Sequence, residues 1–361
     1  MKSKSKDIIL LLGAGASVEA GVPSSPMMIG SIEKLLETKG WSDSRDLYHQ
    51  IKAAIYYAAG IKGRFNHNVA YNIETLVNTL HELERNEEHP IYPFIAAWNS
   101  RLIAHAGADF RHVRVFRDKI LEALQSWVQP ENLDDAEYYP GLKRLQGDLQ
   151  FPLKVFSLNY DLCVERLANE NFRVETGFTG VGKNHRWEWK RFDETEPEAD
   201  LPEIFLYKMH GSINWKRDEA GNLICVNYSG SNIRPDEMQV IFGRDFKLEA
   251  ADPYLFYAFE FRRCSLEARV IVTIGYGFGD EHINKMLFQA MRHDSGKQLV
   301  VVGNVTDKEK AGKRKKEISS KLNISPSAVV VLEGTAKNFL KRADIAELVK
   351  GYLPKDAAAE F

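Results

Sequence analysis

The sequence predicts an α/β protein built on a doubly wound, mainly parallel sheet. Short aliphatic runs recur along the chain, and most are followed by a polar or glycine-rich turn and then by a helical pattern. Runs that are apolar at every position are typical of parallel strands buried on both faces. A repeated order of strand, turn and helix gives such a sheet helices on both sides. The predicted strands are Ile8–Leu12, Leu153–Leu158, Ile204–Met209, Val270–Ile274, Leu299–Val302 and Val329–Leu332.

A helical stretch separates the first two predicted strands. Residues 30–150 carry no strand signal, and leucine and isoleucine side chains recur there at helical spacing in 73–86 and 115–128. We therefore predict a sheet domain of residues 1–29 and 151–361 with a helical insertion of residues 30–150. The turn Ala220-Gly221-Asn222 predicts a hairpin over Ile213–Val226. The charge-rich run Asp307–Leu322 indicates a solvated helix rather than a nucleic-acid surface.

Composition and charge narrow the class of protein. The chain has 361 residues, 44% hydrophobic and 27% charged, which is an ordinary globular composition. A net charge of −2 provides no general attraction to nucleic acid or to anionic membrane. The apolar run Ile8–Leu12 follows three lysines, but it is shorter than the roughly 7–15 residues of a secretory signal. We expect a soluble, cytoplasmic protein that binds neither membrane nor nucleic acid directly.

The cysteines exclude two kinds of site. Cys163, Cys225 and Cys264 are odd in number, far apart in sequence and not arranged in a CxxC pair. This pattern argues against a disulfide framework and against a zinc site built on cysteines. We expect no metal.

The first predicted strand ends in a glycine-rich turn. Gly13 and Gly15 follow it, and a helix is expected to begin near Ser17. Glycines at that point let backbone N–H groups approach an anion, and a helix N-terminus favours negative charge, so a diphosphate is the natural ligand. The spacing is GxGxxxxxG rather than GxGxxG, and a tight turn without a ligand explains this motif equally well.

Three further strands end in residues that carry chemistry. Asn159 and Asp161 follow the second strand, His210 follows the third, and the glycine-rich turn after Val270–Ile274 leads to Asp280 at an expected helix start. Taken singly, Asn and Asp are also common helix caps, and a lone histidine is more often structural. Because ligands of doubly wound sheets bind outside the carboxyl ends of the strands, the four strand ends are expected to meet in one crevice.

In combination, "GAGASVEAGVPS", "NYD", "HGSIN" and "GYGFGDEHIN" resemble the sirtuin-like (silent-information-regulator-like) domain family in its bacterial antiphage-defence branch. The resemblance implies a Rossmann-like fold that binds NAD⁺ as substrate. It assigns the catalytic roles to Asn159 and Asp161, beside the nicotinamide ribose and the carboxamide, and to His210, at the ribose hydroxyls. The residues that it assigns to cofactor binding are Gly13, Ala14, Gly15, Ser17, Pro23, Gly275, Tyr276, Gly277 and Asn304.

The sequence departs from the protein-deacylating sirtuins at two points. Ser24-Ser25-Pro26 stands where those enzymes have Asp-Phe-Arg, and the helical insertion takes the place of their zinc module with its two CxxC pairs. An acyl-lysine peptide binds between that module and the sheet, so the resemblance favours hydrolysis of NAD⁺ to nicotinamide and ADP-ribose. A deacylase, an ADP-ribosyltransferase and a non-catalytic NAD⁺ or ADP-ribose sensor are the alternatives.

The resemblance also implies partners. Defence-branch members deplete cellular NAD⁺, and a hydrolase that was always active would harm its own host, so we expect control through assembly. The expected states are a homo-oligomer and a complex with a HerA-like ring ATPase, with a short Argonaute as the alternative partner. The expected contact surface is His89–His105, with Ile91, Tyr92, Phe94, Ile95 and Trp98.

Overall fold

The computed structural model describes residues 6–61, 63, 71–84, 100–107, 109–129, 136–180, 185–193, 201–226, 233–241 and 252–354. The strands in these ranges are β1 Ile8–Leu12, β2 Leu153–Ser157, β3 Val174–Glu175, β4 Ile204–Lys208, β5 Trp215–Arg217, β6 Leu223–Cys225, β7 Val270–Ile274, β8 Gln298–Val302 and β9 Val329–Leu332. Seven of them form one sheet in the order β3-β4-β2-β1-β7-β8-β9, and every pair in it is parallel. The predicted doubly wound α/β fold is confirmed.

Helices cover both faces of the sheet, and some of them form a separate helical group with its own core. They are α1 Ser25–Leu35, α2 Arg45–Ile61, α3 Ile73–Glu84, α4 Ser100–Ala106, α5 Arg111–Trp127, α6 Gly141–Leu149, α7 Tyr254–Glu267, α8 Glu281–His293, α9 Lys308–Leu322, α10 Ala336–Leu340 and α11 Ile345–Lys350. In the described part of the chain, no helix has the combination of length and apolar character that crossing a membrane requires.

Strand β1 lies at the centre of the sheet and explains its continuous apolar run. Successive side chains of a strand point to opposite faces. Leu10 and Leu12 accordingly lie in the core that α6, α10 and α11 help to form, whereas Ile9 and Leu11 lie in the core under α7, α8 and α9. All five residues of β1 are at most 1% exposed. A strand buried on both faces needs apolar residues at every position, as the sequence has.

The order of the strands reverses beside β1. The strands that follow it in sequence, β2 to β4, lie on one side, and β7 to β9 lie on the other. The carboxyl ends of β1 and β7 therefore form the switch point of the sheet. This is the position at which doubly wound sheets bind ligands.

The helical group has a core of its own. Leu76 and Leu80 of α3 and Ile120 and Leu124 of α5 are fully buried together, as their spacing predicts. Helix α6, which lies within the predicted insertion of residues 30–150, instead packs its leucines into the core of the sheet. Of the expected contact surface, Ile91, Tyr92, Phe94, Ile95 and Trp98 lie outside the described residues.

One predicted element differs from the structure. No α-helix begins near Ser17; two single 3₁₀ turns, Ala14–Ala16 and Val18–Ala20, follow β1, and α1 begins at Ser25 with Ser24 as its N-cap. Gly21 has φ +85° and ends the second turn, so the chain cannot continue there as a regular helix. The expected hairpin is present, with Trp215–Arg217 antiparallel to Leu223–Cys225.

Candidate active site at the carboxyl edge of the sheet

The carboxyl ends of the central strands are level with one another. Leu12 pairs with Ser157 on one side and with Ile274 on the other, and Ser157 pairs with Lys208. Asn159 lies two positions after Ser157, and His210 lies two positions after Lys208. The register thus brings the residues after β1, β2, β4 and β7 to one edge, as the sequence predicts.

The loops after β1 and β7 interlock through glycines. The N–H of Gly13 donates to Ile274 O and that of Gly15 donates to Gly275 O, both at 2.9 Å. A Cβ on Gly13 would lie 2.7 Å from Tyr276 Cα, and one on Gly15 would lie 2.8 Å from Gly275 O. These glycines are required for close contact between two backbones. Because the N–H groups of Gly13 and Gly15 already have acceptors, they do not provide the anion donors that the sequence suggested.

Ser17 connects the first loop to the residues after β2. Its hydroxyl donates to Asp161 Oδ2 at 2.7 Å and accepts from Asn159 Nδ2 at 3.1 Å. Since a serine hydroxyl has one proton, the Tyr139 hydroxyl at 2.7 Å is the donor in its contact with Ser17. Ser17 is fully buried. It therefore acts on the site by fixing Asn159 and Asp161 rather than by facing a diphosphate.

Asn159 keeps one polar atom without a partner. Its amide nitrogen is used by Ser17, which orients the group, while no donor from the described residues reaches the buried Oδ1. A buried carbonyl without a hydrogen bond costs about 1–3 kcal/mol of stability. The Oδ1 of Asn159 is therefore suited to accept a hydrogen bond from a ligand hydroxyl or from a water. Asp161 is more fully engaged, because its Oδ1 also accepts from the N–H of Cys163 at 3.0 Å.

His210 lies between two carboxylates and is 1% exposed. Its Nε2 is 3.2 Å from Asp280 Oδ2, and its Nδ1 is 4.0 Å from Glu74 Oε1. Asp280 caps α8 with its other oxygen, which accepts from the N–H groups of His282 and Ile283. Glu74 comes from the first turn of α3, so the helical group reaches the edge of the sheet at this histidine.

Asp280 and Glu74 raise the pKa of His210. Burial by itself lowers the pKa of His210, but the hydrogen bond to Asp280 and the charges of Glu74 and Asp280 outweigh it and raise the pKa. Burial tends to raise the pKa of Asp280, and its contacts with His210 lower it overall. A raised histidine pKa stabilises the fold below about pH 6.5 and loses this effect as pH rises through the raised value.

A cleft of about 590 Å³ opens beside the interlocked loops. Five residues predicted to bind the cofactor line it: Gly15, Gly275, Tyr276, Gly277 and Asn304. Gly13, Ala14 and Pro23 do not line it. The loop that brings Gly15 to the cleft continues to Ser17, and the turn that brings Tyr276 to it continues to Asp280. The cleft and the buried cluster around Asn159 and His210 therefore share both of their loops.

Sequence reasoning missed several residues of this edge. Tyr139 and Glu74 are distant in sequence from every motif, and no local pattern marks them. Lys310, Lys313 and Arg314 of α9 line the cleft. Lys313 and Arg314 follow Lys310 by three and four positions, so the three side chains lie on one face of the helix. This spacing is the sequence signal that could have distinguished a face lining the cleft from a face exposed to solvent.

The described residues contain no group of three or more His, Cys, Asp or Glu side chains placed to hold a metal ion. Cys163, Cys225 and Cys264 are buried, and none of them forms a disulfide within the described residues.

Comparisons with known proteins found a family model and solved structures to which this chain is similar. No curated protein matches the chain. A solved structure of a Sir2 homologue, a triple mutant in complex with 2′-O-acetyl ADP-ribose, is 15% identical with a TM-score of 0.43, covering 98% of this chain and 96% of that one. A Sir2 homologue–NAD complex is 14% identical with a TM-score of 0.38, covering 97% and 91%. Residues 153–326, which carry Asn159, Asp161, His210 and Gly275, match the model of the SIR2-like domain family.

Proposed function

We propose that the chain is an NAD⁺ glycohydrolase that cleaves the nicotinamide–ribose bond. The observation that carries this proposal is the buried cluster at adjacent strand ends, in which Asn159 is oriented by Ser17 and His210 lies between two acids. The SIR2-like match of residues 153–326 supports NAD⁺ as the substrate class. Water and NAD⁺ give nicotinamide, ADP-ribose and one proton.

The chemistry needs little beyond positioning. Positive charge develops on the ribose C1 as its bond to the pyridinium nitrogen lengthens, and the bonding electrons leave with nicotinamide. The unpaired Oδ1 of Asn159 is the group suited to accept from the ribose hydroxyl or from the attacking water. Asp161 keeps Ser17, and through it the Asn159 amide, in place, while its remaining lone pairs can accept from the carboxamide N–H₂.

His210 is proposed to take the proton that the attacking water releases. A proton acceptor must be neutral, and the raised pKa of His210 moves its neutral form to higher pH. We therefore expect kcat/KM for NAD⁺ to increase with pH through the pKa of His210 in the free protein.

Product analysis tests the proposal against its rivals. The purified chain is incubated with NAD⁺ and no peptide, and the products are separated by chromatography. Free ADP-ribose and nicotinamide in equal amounts support hydrolysis. Turnover that requires an acylated or acceptor protein supports a deacylase or an ADP-ribosyltransferase, and NAD⁺ binding without turnover under every condition supports a sensor.

Glu74→Gln is expected to lower the pKa of His210, because it removes one of the two negative charges that raise it. Nuclear magnetic resonance titration of the His210 imidazole measures this directly, and the rise of kcat/KM should move to lower pH with it. Glu82→Gln, on an exposed position of the same helix, is the matched control and should change neither. An unchanged His210 titration in Glu74→Gln would contradict the proposed contact.

A defence role and control by assembly extend the proposal. We propose that NAD⁺ depletion is the effector step, and that the chain works as a homo-oligomer with a ring ATPase of the HerA type, a short Argonaute being the alternative. Light scattering and NAD⁺ turnover, for the chain alone and mixed with its genomic neighbour, measure this together. We expect a multi-subunit particle whose turnover depends on assembly. A monomer with full and constant turnover at all concentrations would show that assembly does not control it.

A further inference from the structure

We propose that the cleft beside the glycine turns accepts a ribose that carries a phosphate, so that NADP⁺ is a substrate alongside NAD⁺. This inference rests on the proposed function, since it concerns the second half of the same dinucleotide. It depends on the charges that line the cleft, which neither the motifs nor the family match assign.

The basic wall of the cleft belongs to α9. Lys310, Lys313 and Arg314 line it from one helix face, together with the turn Gly275–Gly277. Arg314 is held at that turn, because its Nη2 donates to Gly277 O at 3.4 Å and its guanidinium lies 5.8 Å from the centre of the Phe278 ring. A guanidinium fixed beside a glycine turn is pre-organised for a phosphate.

The acids that line the cleft are already engaged. Glu317 is 3.3 Å from Arg314, and Glu19 accepts from the backbone N–H of Lys337 at 2.9 Å. Lys310 lies 3.5 Å from Asp307, whereas Lys313 is exposed and has no ion-pair partner among the described residues. Lys313 is thus the cation whose charge is most available to a ligand.

The residue after β8 points to the same ligand. Dinucleotide sites that select NAD⁺ place a carboxylate against the ribose 2′-hydroxyl, and that carboxylate repels a 2′-phosphate. Here the neutral Asn304 follows β8 and lines the cleft. Three cations, a neutral residue at this strand end and acids that already have partners favour the phosphorylated ribose.

Calorimetric titration of the full chain with NAD⁺ and with NADP⁺ tests the inference. We expect NADP⁺ to bind at least as tightly as NAD⁺. Lys313→Glu should weaken NADP⁺ roughly tenfold to a hundredfold, as loss of a charge-assisted contact predicts, and change NAD⁺ less than about threefold. Lys316→Glu, exposed on the same helix but outside the cleft, is the matched control and should change neither affinity.

The outcomes separate the two proposals. NADP⁺ binding ten or more times weaker than NAD⁺, or Lys313→Glu weakening both nucleotides equally, overturns the inference while NAD⁺ binding and cleavage stand. Absence of binding by both nucleotides overturns the proposed function itself. Release of nicotinamide and 2′-phospho-ADP-ribose from NADP⁺, measured by the same chromatography as for NAD⁺, would support the inference.

Discussion

Asn159→Ala is expected to lower the rate of NAD⁺ cleavage by roughly 10²–10³ while the protein remains folded. A single group that acts in the transition state is typically worth this much, about 2.7–4 kcal/mol. The cost to stability is smaller, because the substitution removes one hydrogen bond to Ser17, worth about 0.5–1.5 kcal/mol, and Ser17 keeps its contacts with Asp161 and Tyr139. The loss should appear in kcat rather than in NAD⁺ affinity.

The control for this variant is Asn171→Ala, which changes an exposed asparagine outside the site. Turnover and thermal unfolding are measured for both variants. An Asn159→Ala protein that cleaves NAD⁺ at the wild-type rate would remove Asn159 from the mechanism. A variant that unfolds near the temperature of Asn171→Ala but cleaves 10²-fold more slowly would support its role.

Substitution of His210 should have an effect of similar size, roughly 10²–10⁴ for loss of a general base. The replacement residue must be chosen so that a loss of activity is not confused with a loss of stability. Alanine leaves the buried Asp280 without its cationic partner, and breaking a buried pair typically costs about 3–5 kcal/mol. Glutamine keeps a donor that can reach Asp280 and cannot accept a proton near neutral pH.

We therefore expect His210→Gln to bind NAD⁺ and to cleave it roughly 10²–10⁴ times more slowly than the wild type. His293→Gln, at an exposed position at the end of α8, is the matched control. Calorimetry with NAD⁺ and chromatography of the products are the two measurements. Normal turnover by His210→Gln would show that another group accepts the proton, and Glu74 would then be the nearest candidate.

Local pattern was enough to predict most of the sheet. The long strands of the sheet are mostly apolar because most of their residues are buried, although Lys154, Lys208 and Thr273 lie within them. The predicted bounds of β1, β7 and β9 agree with the structure. The two-residue β3 was missed, since Val174–Glu175 is too short to show a period. The helix expected near Ser17 was wrong because Gly21, with its positive φ, ends the 3₁₀ turns there.

The site was predictable in its outline and not in its contacts. Residues that follow strands are visible in sequence, so the position of Asn159, Asp161 and His210 at this edge of the sheet could be predicted. Tyr139 and Glu74 could not, because each reaches the edge through packing between segments far apart in the chain. The glycines were found for the wrong physical reason: their small size serves contact between two loops.

That contact makes the site dependent on two segments that lie far apart in the chain. Residue 275 lies 260 positions after residue 15 (275 − 15 = 260), yet the amide groups of Gly13 and Gly15 find their acceptors at Ile274 and Gly275. During synthesis, a ribosome that has not passed β7 carries a chain whose first loop lacks these partners. This edge of the sheet is therefore completed late in translation, and nascent or truncated chains that stop before β7 lack it.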